Sequence, residues 1–372
     1  MSEVSTMTQA AVLEHPHQPL RLVDVQLDGP YPGEVMVEMG ATGVCHSDIS
    51  VYNATLPNPF PVVLGHEGAG TVVEVGEGVT NVRPGDRVVL AWLAQCGECF
   101  YCLRGQPSLC EVAGGAMTRG TLLDGTTRFR WQQGPIYHMA GLGTFSRRCV
   151  VPANAVVKVT DRIDIAVAAL IGCGVLTGFG AAVNTAQIRV ADTVAVLGCG
   201  GVGLNVIQGA RISGAAQIIA IDMHTERLRL AEQLGATHLI AAGDEVVAQV
   251  RELTAKRGVD VAFEVVGRQE TIRDAIRMTR RGGQTILVGA AGDGISVSVP
   301  AFTGLVLTEK VIRGSLYGSS HIRRDVDRIV RLYESGQLKL DELVSARFAF
   351  EEVNDAVTYC ASERGARAVV VF

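Results

Sequence analysis

Four cysteines, Cys96, Cys99, Cys102 and Cys110, follow one another in the spacing C-x2-C-x2-C-x7-C. Thiolates are soft donors, and two-residue gaps let a turn bring neighbouring sulfurs to one point. The run therefore suits a tetrahedral zinc ion with zinc–sulfur bonds of about 2.3 Å. The bacterial iron–sulfur spacing ends differently, in C-x3-C-P. Four thiolates close the coordination sphere, so a metal held here would stabilise a lobe and not catalyse. Nine cysteines, an odd number in a chain without an export signal, favour reduced thiols over a disulfide framework.

A second set is dispersed: Cys45 in "GVCHSD", His66 and Glu67 in "GHEGAG", and Cys173 in "GCGVLTG". Each alone has a bland reading, since buried cysteines are common and a single histidine is usually a satisfied structural group. Their joint occurrence carries the signal.

A third set is the glycine run "VLGCGGVG", which places Gly198, Gly200 and Gly203 in G-x-G-x-x-G spacing with Gly201 inside it. In a chain with 43 glycines a bare match is weak, and an ordinary glycine-rich turn is the alternative. Context strengthens it: the run follows an apolar strand pattern, opens a helical one, and is followed nineteen residues after Gly203 by Asp222. The glycines would let the backbone approach a pyrophosphate at a helix N-terminus, where unpaired N–H groups favour negative charge. Asp222 would accept hydrogen bonds from ribose hydroxyls and repel a 2′-phosphate. Met223 and His224 supply no arginine to welcome one, so NAD is favoured over NADP. Arg227 could sit near the ribose or be a solvated helix residue.

These groups need a frame to hold them. At 372 residues the chain exceeds the size at which a single core stops growing, which predicts two domains. With 48% hydrophobic and 19% charged residues it has ample apolar surface for a globular fold. A net charge of −5 without a basic run excludes the electrostatic footprint of a nucleic-acid binder and predicts no membrane partner. The start lacks a signal-peptide pattern and no segment has eighteen uninterrupted apolar residues, so a cytoplasmic protein is expected.

The first half is β-rich: "EVMVEMGA", "AGTVVEVG" and "DRVVLAWL" alternate around valines and are bounded by Gly, Pro and Asp. From Asp192 the pattern becomes strand then helix repeatedly: "DTVAVLG", "VGLNVIQGARISG", "AQIIAID", "TERLRLAEQLG", "VDVAFEVVG", "ETIRDAIRMTRRGG" and "QTILVGA". Such alternation predicts an α/β fold with a doubly wound parallel sheet. After about residue 315 a helix, "RRDVDRIVRLYESG", precedes strand-like pieces ending in "ARAVVVF", expected to pack back on the first half.

In order, "GVCHSD", "GHEGAGTVVEVGEGV", "CGECFYC", "GTFS", "GCGVLTGFGAAVNTA" and "GCGGVG" give the chain its resemblance to zinc-dependent alcohol dehydrogenases of the medium-chain dehydrogenase/reductase family, over essentially its whole length. The 63 positions from Cys110 to Cys173, with "DGTTRF" among them, are similar to the dimeric branch that includes animal alcohol dehydrogenases and glutathione-dependent formaldehyde dehydrogenases. The resemblance implies a GroES-like catalytic domain, residues 1–174 and 315–372, with a structural zinc lobe at about 95–111. It also implies a Rossmann NAD domain, residues 175–314, with the active site in the cleft between the two.

By the same resemblance, Cys45, His66 and Cys173 match the catalytic zinc ligands, which leave a fourth position open. Glu67 matches a nearby carboxylate that can enter the sphere, Asp48 the acceptor that orients His66, and Ser47 the hydroxyl that takes the alcohol proton. Cys96, Cys99, Cys102 and Cys110 match the structural zinc site. His46 and Arg367 fall where the family contacts the cofactor pyrophosphate; Val202, Val288 and Ala290 fall near the nicotinamide. Many relatives end the proton relay in a histidine where this chain has Ser50, which predicts a weaker dependence of rate on a histidine pKa.

The resemblance also implies that Trp92 walls the substrate pocket near zinc, with Leu56, Gly115, Met139 and Ala140 further out. A bulky inner wall with small outer residues suits primary alcohols, aromatic or of medium length, and their aldehydes. Thr55 and Gly114 stand where the glutathione-dependent branch has an acidic residue and an arginine, which speaks against glutathione adducts. A thiol-dependent formaldehyde dehydrogenase is the alternative enzyme, and a non-catalytic zinc and dinucleotide-binding protein the alternative outside enzymes. The apolar segment "VSVPAFTGLVLTEKVIRGSLYG" resembles the family's subunit interface and predicts a homodimer, with a tetramer as alternative.

Overall fold

The computed structural model describes residues 5–132, 134–292, 294–362 and 365–372. It divides into two compact units: Met1–Gly174 with His321–Arg331 and Leu343–Phe372, and Val175–Ser320 with Leu332–Glu342.

The first unit is β-rich. Five strands close a small barrel in the order Thr6–Leu13, Arg21–Leu27, Phe129–Trp131, Gly134–His138, Val62–Val63. A second sheet runs Val156–Lys158, Arg87–Leu90, Glu67–Val75, Glu34–Val44, Arg367–Val371, Val344–Ala349, and Arg148–Pro152 also pairs with Glu34–Val44. Valine-rich alternation supplies the inner faces, and Val12, Val35, Val37, Val72, Val88 and Val150 share one core with Phe129, Phe145 and Phe350. The last strand lies antiparallel against Glu34–Val44, with Ala368 opposite Val44.

The second unit holds a parallel six-stranded sheet ordered His238–Ala241, Gln217–Asp222, Thr193–Leu197, Val259–Glu264, Thr279–Leu287, Val311–Gly314. Numbered along the chain, that order is 3-2-1-4-5-6, the doubly wound arrangement. The strands Thr193–Leu197, Gln217–Asp222 and Val259–Glu264 are buried almost throughout and read as largely apolar runs, as crossover helices on both faces require. Gly235 ends the helix Thr225–Leu234 at φ 122°, a conformation that favours glycine.

One boundary differs from the sequence reading. The helix Gln269–Met278 stops before "TRRGG", which forms the start of the strand Thr279–Leu287. Thr279 pairs with Val259, and a register shift follows immediately, so sheet pairing overrides the helical propensity of the arginines.

A helical stretch of 22 residues, Ile165–Ala186, is long and apolar enough to cross a membrane, but 89% of its apolar window is buried inside the protein. It is not a regular α-helix. The segment Ile171–Val175, which carries Cys173, is a π-type turn, a feature frequent at functional sites.

Candidate active site

In each of the two expected ligand sets the donor atoms converge. The sulfurs of Cys96, Cys99, Cys102 and Cys110 all lie within 4.8 Å of one another. Cys96 Sγ and Cys102 Sγ are 3.9 Å apart, as are Cys99 Sγ and Cys110 Sγ. Four sulfurs at about 2.3 Å from one centre would stand about 3.8 Å apart, so the set fits a tetrahedral zinc. Backbone N–H groups point at the sulfurs, Cys99 N to Cys96 Sγ at 3.3 Å and Cys96 N to Cys110 Sγ at 3.4 Å. None of the nine cysteines is in a disulfide.

The donor atoms of Cys45, His66, Glu67 and Cys173 likewise lie within 4.8 Å of one another, and all four residues are buried. Topology brings them together. Cys45 directly follows the strand Glu34–Val44, Glu67 opens the neighbouring strand with Gly43 opposite it, and Cys173 comes from the π-type turn. Asp48, fully buried, organises this corner: its carboxylate accepts from Cys45 N at 2.8 Å and Gly65 N at 3.0 Å and lies 3.3 Å from His66 Nδ1. With Nδ1–H donating to Asp48, Nε2 of His66 is left as the metal donor.

The buried groups of this cluster shift one another strongly. Cys45 is held well below the usual thiol range by its hydrogen bond with Cys173 and by the guanidinium of Arg367, while Cys173 is pushed up by the same hydrogen bond and by burial. Burial opposes a charged His66, yet Asp48 and Cys45 raise it well above its ordinary value. Burial lifts Glu67 to about 7 against the pull of Arg367. A metal would displace these protons, because its ligands bind deprotonated.

Arg367, which the sequence reading sets at the pyrophosphate, is buried and donates from Nη2 to Glu67 Oε1 at 2.8 Å and to Cys45 Sγ at 3.5 Å, and from Nε to Glu67 Oε2 at 3.1 Å. Gly174 makes room for it, since a Cβ there would stand 2.7 Å from Nη2 of Arg367. This pairing escapes sequence reading because nothing local links residues 67 and 367.

Ser47 is half-buried, its Oγ 3.9 Å from Cys45 Sγ, and His46 beside it is exposed. Ser50 donates to the carbonyl of His46 at 3.1 Å. Among the expected pocket residues, Gly115 lies on the helix Glu111–Arg119, which packs on the turn Met139–Gly141 holding Met139 and Ala140. Met139 is buried in the core, Trp92 and Ala140 are packed partly against it, and Leu56 is exposed.

In the second unit Gly200 caps the helix Gly201–Ile212, and a Cβ built on it would meet nothing within 4 Å. A helix N-terminus offers unpaired N–H groups that favour an anion such as a pyrophosphate. A Cβ on Gly203 would collide with the carbonyl of Gly198, so the tight loop requires glycine there. Asp222, at the end of its strand, accepts from Cys199 N at 2.7 Å and His224 N at 2.9 Å, with Arg227 Nη1 4.0 Å from its carboxylate. Val202 is in the first turn of that helix, and Val288 and Ala290 follow the strand Thr279–Leu287.

Comparison with known proteins agrees with this geometry. Residues 31–161 match the alcohol dehydrogenase GroES-like domain and residues 201–335 the zinc-binding dehydrogenase domain. The chain is 39% identical to an NDMA-dependent alcohol dehydrogenase of Amycolatopsis methanolica, covering 98% of each. It is 38% identical to an S-(hydroxymethyl)glutathione dehydrogenase of Paracoccus denitrificans, covering 98% of this chain and 100% of that one. Among solved structures, benzyl alcohol dehydrogenase from Acinetobacter calcoaceticus superposes with a TM-score of 0.93 at 32% identity, covering 99% of each chain. The protein belongs to the zinc-dependent alcohol dehydrogenases of the medium-chain dehydrogenase/reductase family, enzymes that use zinc and a nicotinamide dinucleotide on small alcohols and aldehydes.

Proposed function

We propose that this protein oxidises a primary alcohol, aromatic or of medium chain length, to its aldehyde with NAD, and catalyses the reverse reaction. The observation that carries the reading is the buried convergence of Cys45, His66 and Cys173 beside Glu67. Zinc bound by Cys45, His66 and Cys173 supplies Lewis acidity, which eases deprotonation of an alcohol and polarises a carbonyl. Ser47 accepts the hydroxyl proton and hands it outward. Asp48 holds the tautomer of His66. Arg367 balances the charge of Glu67 and the thiolates beside the metal site and is also the residue we place, with His46, at the pyrophosphate. Cys96, Cys99, Cys102 and Cys110 hold the structural zinc.

Gly198, Gly200, Gly201 and Gly203 with His46 receive the pyrophosphate, Asp222 and Arg227 the adenosine ribose, and Val202, Val288 and Ala290 the nicotinamide. The Asp222 carboxylate supports NAD over NADP. Trp92 with Leu56, Gly115, Met139 and Ala140 shapes the pocket, and the solved relative named for benzyl alcohol supports an aromatic substrate. Functionally, residues 1–174 and 315–372 form the catalytic part and 175–314 the cofactor part.

The relative named S-(hydroxymethyl)glutathione dehydrogenase favours a second reading, formaldehyde oxidation that depends on a small thiol. Thr55 and Gly114 weigh against glutathione itself. A homodimer is supported by the exposed Phe302, Val306, Leu307 and Val311 beside the edge strand Val311–Gly314. Nine unbridged cysteines support a cytoplasmic setting.

The test is NADH formation by zinc-loaded protein over a panel of primary, benzylic and secondary alcohols with NAD or NADP, and over formaldehyde with and without thiols. Turnover of a primary or benzylic alcohol with NAD, abolished in Cys45→Ser, supports the reading. Turnover of formaldehyde alone, and only with a thiol, replaces it with the second. No turnover of any substrate overturns both.

A further inference from the structure

The motif "GTFS", Gly143–Ser146, lies in no helix or regular strand, yet its backbone runs alongside the chain that leads into His66. Thr144 N donates to the carbonyl of Gly65 at 3.1 Å, and Phe145 N to that of Leu64 at 2.9 Å. Thr144 is fully buried and fits inside the bend Gly65–Gly68, which carries His66 and Glu67. Two glycines admit it. A Cβ on Gly65, whose φ is 89°, would collide with Thr144 Oγ1, and a Cβ on Gly68 would stand 2.8 Å from Thr144 Cγ2.

The hydroxyl of Thr144 lies 2.7 Å from that of Thr42, also fully buried, on the strand Glu34–Val44. Thr42 stands opposite Gly68 in the register, and Cys45 directly follows the end of its strand. Gly65 is therefore gripped through both main-chain groups: its N–H by Asp48 at 3.0 Å and its carbonyl by Thr144 N. Buried hydroxyls are unfavourable unless bonded, so an apolar pair would be the simpler filling here. The two pairs differ in length. Bonded oxygens rest at about 2.7 Å, whereas carbons need about 3.5–4.0 Å. The hydroxyl pair thus holds the bend about 1 Å closer to the strand than methyl groups would, and metal–ligand distances tolerate only about 0.2 Å.

We propose that Thr144, through its hydroxyl bond to Thr42, is a positioning residue for the catalytic metal. It sets the bend that carries His66 against the strand that leads into Cys45. The proposal rests on the reading that Cys45, His66 and Cys173 hold zinc. It goes further in giving the "GTFS" motif a task that this reading leaves open.

The experiment measures zinc content, and zinc affinity by competition with a chromogenic chelator, on the full chain and its variants, with urea unfolding in parallel. Cys45→Ser, expected to keep the lobe metal alone, is the reference for the structural site. Thr144→Val removes the bond and is expected to weaken the catalytic zinc about 10-fold, the low end for partners behind metal ligands, with the lobe zinc unchanged. Thr42→Val removes the same bond from its other side and should weaken the catalytic zinc equally; it is the variant to use if Thr144→Val does not fold. The double variant should also lose about 10-fold, and not the roughly 100-fold of independent sites, because both changes delete one bond. Thr144→Ser keeps the hydroxyl and should stay within about threefold of the parent. A lowered urea midpoint with unchanged catalytic zinc affinity assigns the pair a general structural role and overturns the proposal. So does a multiplied loss in the double variant, or a Ser variant as weak as Val. If the parent binds no more zinc than Cys45→Ser, the metal reading itself falls and the proposal with it.

Discussion

Arg367 and Glu67 stand 300 positions apart, yet they form a buried ion pair with Nη2 of one 2.8 Å from Oε1 of the other. The register explains it. Glu67 is opposite Gly43 on one side of the strand Glu34–Val44, and Ala368 is opposite Val44 on its other side. The last strand thus delivers a cation beside a metal site whose other members come from the first half of the chain.

Removing the guanidinium leaves Glu67 and Cys45 buried beside one another with only His66 among the neighbouring side chains to offset their charge. Breaking such a pair from one side costs about 3–5 kcal/mol. Arg367→Met is expected to lower unfolding stability by that order and to reduce catalytic zinc retention. Adding Glu67→Gln should restore much of the stability, because the double variant no longer buries an unpaired charge. Urea titration of the parent, both single variants and the double variant checks this. A fully stable Arg367→Met would show that the pair carries no such weight.

The two metal centres differ in what their loss does. Two donor sets predict about two zinc ions per chain. Cys102→Ser should bring the content to about one and lower the unfolding midpoint, since structural zinc contributes folding energy directly. Cys45→Ser should also bring it to about one, while abolishing turnover with the lobe intact. Atomic absorption on each purified variant, beside thermal unfolding and activity, separates the sites. Loss of both metals in either variant would contradict their independence.

Much of this was legible in the residues. The strand and helix alternation from Asp192, the cysteine run and the glycine loop are local patterns, and local patterns survive in one sequence. The dispersed set, Cys45, His66, Glu67 and Cys173, was reached through motif order, since chance proximity in sequence does not join it. Three things stayed hidden because they depend on long-range packing: the Glu67–Arg367 pair, the π-type turn under Cys173, and the start of a strand at Thr279. Thr144 lies in the legible motif "GTFS", but its bond to Thr42 is visible only in the fold.

Asp222 should set cofactor choice. Its carboxylate is buried at the strand end and already organises Cys199 N and His224 N, so it is held in place before a ribose arrives. Asp222→Asn keeps the side-chain shape and an acceptor for one of the two N–H groups while removing the negative charge. We expect kcat/KM with NAD to fall about 10- to 100-fold, the range for hydrogen bonds to a charged group, and the ratio of NADP to NAD activity to rise. Steady-state kinetics with both cofactors measure it. An unchanged ratio would remove Asp222 from cofactor selection.

A buried imidazole outside the metal sites makes stability depend on pH. His138 is fully buried, with Nδ1 3.2 Å from the carbonyl of Leu142 and Nε2 accepting from Arg128 N at 3.1 Å. Those bonds suit one neutral tautomer, and burial pushes its pKa down to about 4 from an ordinary value of 6.5, with Arg128 adding to the shift and Asp124 opposing it. Between those values the unfolded chain binds the proton and the folded chain does not, so falling pH favours unfolding. The stabilising contribution is complete above pH 6.5 and is lost as pH falls toward about 4, a total of about 3 kcal/mol. His138→Gln can donate to Leu142 and accept from Arg128 without titrating. The urea midpoint of the parent should therefore fall more steeply than that of the variant between about pH 6.5 and 5, above the range where ordinary carboxylates titrate. Parallel curves would mean that His138 takes up its proton equally well in the folded chain.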